Sequence, residues 1–216
     1  MEYSELYQKY LNFRDGIFVE AGANNGIDQS NTISLEYNQG WSGLLVEPNP
    51  FVYKECVANR PRSTCENYAL VSSTYASDTI NGDFSHRNGN DQSLMGCVED
   101  PGDYCDEHLL EAKASRKNDY GYISVPATTL NSLLKKHNIT KIDFLSLDVE
   151  GYEISVLNGL DLNLYRPTYC LIETVFNFAN GRRLMAVSDH MIRNSYEVLE
   201  NVSHGDTLYR SLTNFI

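Results

Sequence analysis

Apolar runs of strand length alternate with segments of helical period along most of this chain, and that alternation restricts the fold more than any other feature. Runs at 17–21, 43–47, 67–71, 142–148, 169–174, 196–201 and 207–211 read as strands. An N-terminal helix is expected near 3–13, with further helices at 30–38, 50–59, 130–138, 152–158 and 182–193. Pro50 suits a first helical turn, and Thr129 is placed to cap the helix after it. Strands separated by helices predict an α/β fold, a mostly parallel sheet covered by helices on both faces. The 216 residues fill one such domain, so 1–216 is expected to be a single unit. The stretch 72–122 breaks the rhythm. It is rich in Gly, Asn, Asp and Ser, reads as an inserted loop with a short helix near 108–117, and is expected on the substrate side.

Charge narrows the partners. The formal net charge is −12, which repels phosphate backbones and anionic membranes, so nucleic acid is excluded as a first expectation. The pairs Arg60/Arg62 and Arg182/Arg183 are too short for a phosphate site and read as solvated faces. No run approaches the ~20 apolar residues of a membrane span, and the polar start is unlike a secretory signal. A cytoplasmic protein without membrane insertion is expected, either alone or as one domain of a larger multidomain polypeptide. Five cysteines without C-x-x-C spacing fit free thiols, although Cys97 and Cys105 are close enough in one loop to pair.

Three segments carry candidate chemistry. In Phe18-Val19-Glu20-Ala21-Gly22-Ala23-Asn24-Asn25-Gly26 an apolar strand ends in an acid and turns through glycines toward a helix. Such a turn lies at the carboxyl edge of an open sheet, where ligands bind. Gly22 would let backbone approach a ligand, and Gly26 would permit the tight turn. Two glycines fall short of the dinucleotide fingerprint, and Glu20 stands where a phosphate would come. A cation suits Glu20 better, such as the sulfonium and ammonium of S-adenosylmethionine. Glu47 ends the second strand about twenty residues later, the position from which a carboxylate accepts ribose hydroxyls. Its simpler role is an acid before a helix, favoured by the dipole.

The third segment, Asp143 to Glu153, delivers Asp148 to the same edge, followed by Glu150 and Gly151. In an extended chain residues two apart share a side, so Asp148 and Glu150 would face one cleft. Glu153 begins a helix and reads as a cap or a solvated acid.

These residues resemble the FkbM-type methyltransferases. The resemblance runs through E-x-G-A-N-x-G at 20–26, Ser30-Asn31-Thr32, the stretch 40–50 ending Glu47-Pro48-Asn49-Pro50, Asn59-Arg60-Pro61, Val125 to Leu130, and Leu145 to Glu153. It implies a class I methyltransferase, Rossmann-like, with a mostly parallel seven-stranded sheet and one antiparallel strand near the edge. It further implies that Glu20, Gly22, Ala23, Asn24, Asn25, Gly26, Ser30, Asn31, Thr32, Glu47, Pro48, Asn49 and Asp148 surround S-adenosyl-L-methionine. Family members act mainly as O-methyltransferases, often on sugars, so a carbohydrate or glycan acceptor is expected. Glu20 stands where the family commonly has Asp, and 72–122 and the tail after Glu173 match poorly.

A sugar hydroxyl needs help to lose its proton. Asp148 is the first candidate base, with Glu150, Glu173 and His204 behind it. Alternatively Asp148 and Glu173 hold Mg²⁺ or Mn²⁺, which would lower the hydroxyl pKa. His204 lies in Ser203-His204-Gly205-Asp206, where a solvated turn residue is the plainer reading, and His86 stands in the long loop. Two rivals remain at this point: a dinucleotide-dependent oxidoreductase, and a non-catalytic glycan-binding module of the same fold.

Overall fold

The computed structural model describes residues 1–83, 86–87, 91–92, 97–98, 122–174, 182–202 and 205–213. Along the chain run α1 (Tyr3–Tyr10), β1 (Ile17–Ala21), α2 (Ile33–Gln39), β2 (Ser42–Val46), α3 (Pro50–Asn59), β3 (Thr64–Glu66) and β4 (Ala69–Leu70). Next come β5 (Thr79–Asp83), β6 (His86–Arg87), β7 (Asp91–Gln92), β8 (Cys97–Val98) and β9 (Tyr122–Thr128). The chain continues through α4 (Leu130–Lys136), β10 (Phe144–Leu147), α5 (Glu153–Leu157), β11 (Tyr169–Glu173), α6 (Arg182–Arg193), β12 (Tyr196–Asn201) and β13 (Asp206–Ser211).

Seven strands form the main sheet in the order β12-β13-β11-β10-β1-β2-β3. Only β13 runs against the rest, pairing antiparallel with β11 on one side and β12 on the other. Alternate residues of the central strands enter two apolar layers, as a sheet buried on both faces requires. Val19, Ala21, Leu44, Val46, Leu145, Leu147, Cys170 and Ile172 join the layer that contains Leu130, Leu133 and Val187. Phe18, Leu45, Phe144 and Leu171 enter the other, with Leu6, Leu35 and Trp41. The same alternation turns Glu20 into the second layer, in step with Phe18. That places a carboxylate among helices rather than in solvent.

Capping fixes several boundaries. Asn49 accepts a hydrogen bond from Phe51 N with Pro50 in the first turn, and Thr129 accepts one from Ser132 N. Gly40, at φ +76°, ends α2 in the left-handed region. α2 starts at Ile33 rather than at residue 30, because residues 30–32 are bonded to Glu20 instead.

Two expectations change. The third strand of the main sheet is Thr64–Glu66, paired with β2, and not the run 67–71. Ala69–Leu70 leaves that sheet to pair with β9 in a second, four-stranded sheet of order β4-β9-β5-β8. The inserted stretch is therefore not structureless where it is described. β5 pairs with both β9 and β8, and β6 pairs with β7. The helix expected near 108–117 lies outside the described residues. Among the described residues no helix is long and apolar enough to cross a membrane.

Candidate active site

A cleft of about 1030 Å³, including its open mouth, lies over the carboxyl ends of β1, β2 and β10. That is where an open parallel sheet binds ligands. Glu20, Gly22, Asn24, Asn31, Glu47, Pro48, Asn49, Asp148 and Glu150 all line it. Ala23, Asn25, Gly26, Ser30 and Thr32 do not line it; they build the ground behind it.

Glu47 is the best-defined carboxylate of the cleft. It is 8% exposed, its Oε2 accepts from Asn24 N at 2.9 Å, and its Oε1 accepts from Asn49 N at 2.8 Å. The side chain thus ties the glycine turn to the start of α3. Each oxygen has a second lone pair for a ligand hydroxyl. Burial pushes its pKa up to about 7, against the pull of the Asn49 and Asn24 amides.

Glu20 has a different situation. Its carboxylate accepts from Ser30 Oγ (2.9 Å), Asn31 N (2.7 Å) and Thr32 Oγ1 (2.5 Å), with Arg60 Nη1 3.6 Å away. Burial raises its pKa, opposed by the Thr32 bond and Arg60. Glu20 therefore anchors the loop before α2 while still lining the cleft. Asn31 carries the effect forward: its backbone holds Glu20, its Nδ2 donates to Ser146 Oγ, and it lines the cleft.

Arg60 corrects the reading of a solvated face. It is fully buried, and donates to Glu36, Gly26 O, Ser30 Oγ and Thr32 Oγ1 between 2.9 and 3.0 Å. Only Arg62 of that pair is exposed. A buried guanidinium with that many partners fixes the glycine turn from behind.

The protein's own packing requires both glycines. Gly22 has φ +83°, and a side-chain carbon there would meet Asp148 O at 1.7 Å. Gly26, at φ +79°, would meet Arg60 Cγ at 2.7 Å. Asn25 turns inward, its Oδ1 accepting from Ile27 N and Asp28 N.

At the β10 end the chain turns at once instead of staying extended. Glu150 and Gly151 have φ of +55° and +100°, so alternation does not explain why Asp148 and Glu150 share the cleft. Glu153 Oε1 closes this turn by accepting from Val149 N (3.0 Å) and Gly151 N (3.3 Å). Carboxylate oxygens of Asp148, Glu153 and Glu173 lie within 4.8 Å of one another. Asp148 and Glu173 are thus brought together as expected, and Glu153, read as a helix cap, joins them. On β13, Asp206 stands opposite Glu173 and accepts from the Tyr3 hydroxyl at 2.7 Å. His204 lies outside the described residues, as do the side chains of His86 and Cys97 and all of Cys105.

Sequence reasoning missed the wall formed by Tyr68, Ala69, Leu70 and Val98. Its signal was the run 67–71, assigned to the wrong sheet.

A mostly parallel seven-stranded sheet, its one antiparallel strand next to the edge, with this cleft over the carboxyl ends, defines the class I S-adenosylmethionine-dependent methyltransferase fold. The structure is similar to methyltransferase FkbM from Methylobacillus flagellatus KT, with a TM-score of 0.57 at 14% identity over 97% of this chain. That match covers 48% of the other protein, so the present chain spans about half its length. It is also similar to precorrin-6y C5,15-methyltransferase from Geobacter metallireducens GS-15, with a TM-score of 0.50 at 9% identity. Here 96% of this chain and 84% of the other are covered. No curated protein matches the sequence significantly. The family model for the methyltransferase FkbM domain matches residues 20–200, and the chain belongs to that family.

Proposed function

We propose that this chain is an S-adenosylmethionine-dependent O-methyltransferase whose acceptor is a sugar hydroxyl of a glycan or glycosylated product. The observation that carries the reading is Glu47, a buried carboxylate at the end of β2 locked to the glycine turn, with lone pairs left for a ribose. The residues lining the cleft fit this cofactor: Glu47 would take the ribose hydroxyls, Asn24 and Asn31 would border the amino-acid part, and Val46, Val52, Tyr68 and Leu70 would flank the base. When bound, the cofactor supplies an electrophilic methyl group on sulfur. Family membership speaks against the dinucleotide oxidoreductase.

The chain's own contribution is alignment and proton removal. Holding acceptor oxygen, methyl carbon and sulfur in line can supply ~7–11 kcal/mol of the barrier. Asp148, at the mouth of the acidic cluster, takes the hydroxyl proton, with Glu150 and Glu173 beside it as alternatives. A second route uses the same geometry: Asp148, Glu153 and Glu173 hold a divalent cation that acidifies the hydroxyl. Residues 72–122, whose second sheet brings Val98 to the cleft, supply the acceptor wall, and 1–216 works as one domain.

The test is transfer of a labelled methyl group from S-adenosylmethionine to a panel of glycans, with and without EDTA. Label on a glycan hydroxyl that survives EDTA supports the base route. Label lost with EDTA and restored by Mg²⁺ or Mn²⁺ supports the metal route. Label on a phenol or protein but on no glycan would overturn the sugar acceptor. Tight cofactor binding without transfer to any acceptor would revive the non-catalytic module.

A further inference from the structure

Behind the glycine turn, away from the cleft, two thiols are in contact. Cys56, on α3, is fully buried, and its Sγ lies 3.6 Å from Sγ of Cys65 on β3, which is partly exposed. Nothing in the proposed reaction uses either one.

Cys56 also backs onto the turn. A side-chain carbon on Gly26 would sit 3.0 Å from its Sγ. The end of α3 grips the turn twice more: Asn59 Nδ2 donates to Asn25 O at 2.9 Å, and Arg60 Nη1 to Gly26 O at 3.0 Å. The turn therefore follows α3.

The two thiols are not equivalent. The contact with Cys56 and the Arg60 guanidinium hold the Cys65 thiol below its usual pKa, whereas the same contact and burial push Cys56 up. Cys65, accessible and the better thiolate, is the attacking partner, and Cys56 completes the bridge.

We propose that Cys56 and Cys65 form a reversible dithiol–disulfide pair whose oxidation weakens cofactor binding. The second half rests on the cofactor reading above. The oxidant is a small disulfide of the glutathione class. The Cys65 thiolate attacks it, its S–S bond breaks, and one glutathione leaves as a thiolate. Cys56 attacks Cys65 Sγ, and its proton goes to the sulfur of the second glutathione, which leaves as a thiol. Two protein thiols lose two electrons, and one glutathione disulfide becomes two thiols. A disulfide is about 2.05 Å long, so the sulfurs must approach well inside their 3.6 Å contact. Cys56 moves toward β3 and away from Gly26, and α3 draws the turn with it.

The experiment treats the full chain with glutathione disulfide, then applies a non-reducing peptide map and S-adenosylhomocysteine calorimetry. A Cys56–Cys65 linked peptide is expected, with affinity lower by about tenfold, within the usual range of coupling between sites. Reductant should restore it. Cys65→Ser should bind like the reduced protein and ignore the oxidant; Cys65→Ala serves if the serine variant folds poorly. A map showing only Cys65 joined to glutathione would overturn the pair. A linked pair with unchanged affinity would overturn the coupling. If reduced protein binds no S-adenosylhomocysteine, the cofactor reading and the coupling fall together, while the map still judges the pair by itself.

Discussion

At the β1–β2 end of the cleft, each carboxylate is engaged by backbone and side chains between 2 and 40 residues away, and the partners interlock. At the β10–β11 end, Asp148, Glu153 and Glu173 come from a strand end, a helix start and a second strand, and crowd within 4.8 Å. The first arrangement is suited to holding a ligand in one pose. The second concentrates negative charge where a proton or a cation can be taken. On the function proposed above, binding would fall to the first group and proton removal to the second, so each can be altered while the other is watched.

The largest effect should come from the residue that joins the ends. Gly22→Leu drives a side chain into Asp148 O from a positive φ, and should abolish S-adenosylhomocysteine binding and lower Tm. Calorimetry showing parental affinity would mean that the two ends do not share this wall. Asp148→Asn should then lose at least ~100-fold in kcat while cofactor affinity stays nearly constant. Full activity in both Asp148→Asn and Asp148→Ala would remove Asp148 from either route.

Glu47→Ala should do the reverse, weakening S-adenosylmethionine by roughly 10–100-fold, since hydrogen bonds to a charged group are worth about 1.5–3 kcal/mol. An unchanged Kd in a folded variant would take Glu47 off the ribose. The mildest test is pH. With its pKa raised from 4.5 to about 7, folded Glu47 holds a proton that the unfolded chain has released. Its contribution to stability therefore falls as pH rises from 4.5 to 7, and its full cost is present above 7. Glu47→Gln should raise the Tm of ligand-free protein at pH 8 more than at pH 5. If ligand binding needs the carboxylate, a pKa of about 7 means that wild-type affinity should drop about fivefold from pH 7 to 6, and the glutamine variant should show a flat profile.

The β1–β2 end was more legible in sequence because its parts are close along the chain. Gly22, Glu47 and the capped start of α3 fall within one β–turn–helix–β unit, so spacing alone places them. Arg60 was misread because composition shows a cationic pair but not the acids around it; Glu36 and Glu20 reach it only through folding. Glu153 was misread for the opposite reason. Its helix-start position is real, but it stands over a turn that brings it to Asp148, and no periodicity foretells a positive φ at Glu150. The third strand was misplaced because Thr64–Glu66 is short and polar, whereas 67–71 is apolar from packing in a different sheet.

The order of the main sheet has a consequence during synthesis. β1 lies between β2 and β10, with Phe18 opposite Gly43 on one side and Phe144 on the other. One edge of β1 can pair as soon as β2 emerges from the ribosome, but the other waits for a strand about 125 residues later. At roughly 5–20 residues per second that is about 6–25 s, during which an apolar edge in the middle of the future sheet stays open to other nascent chains. The carboxyl edge of β10 brings Asp148 with it, so the wall on which the cleft depends is among the last parts of the site to arrive. Until then the glycine turn has no Asp148 carbonyl beside Gly22.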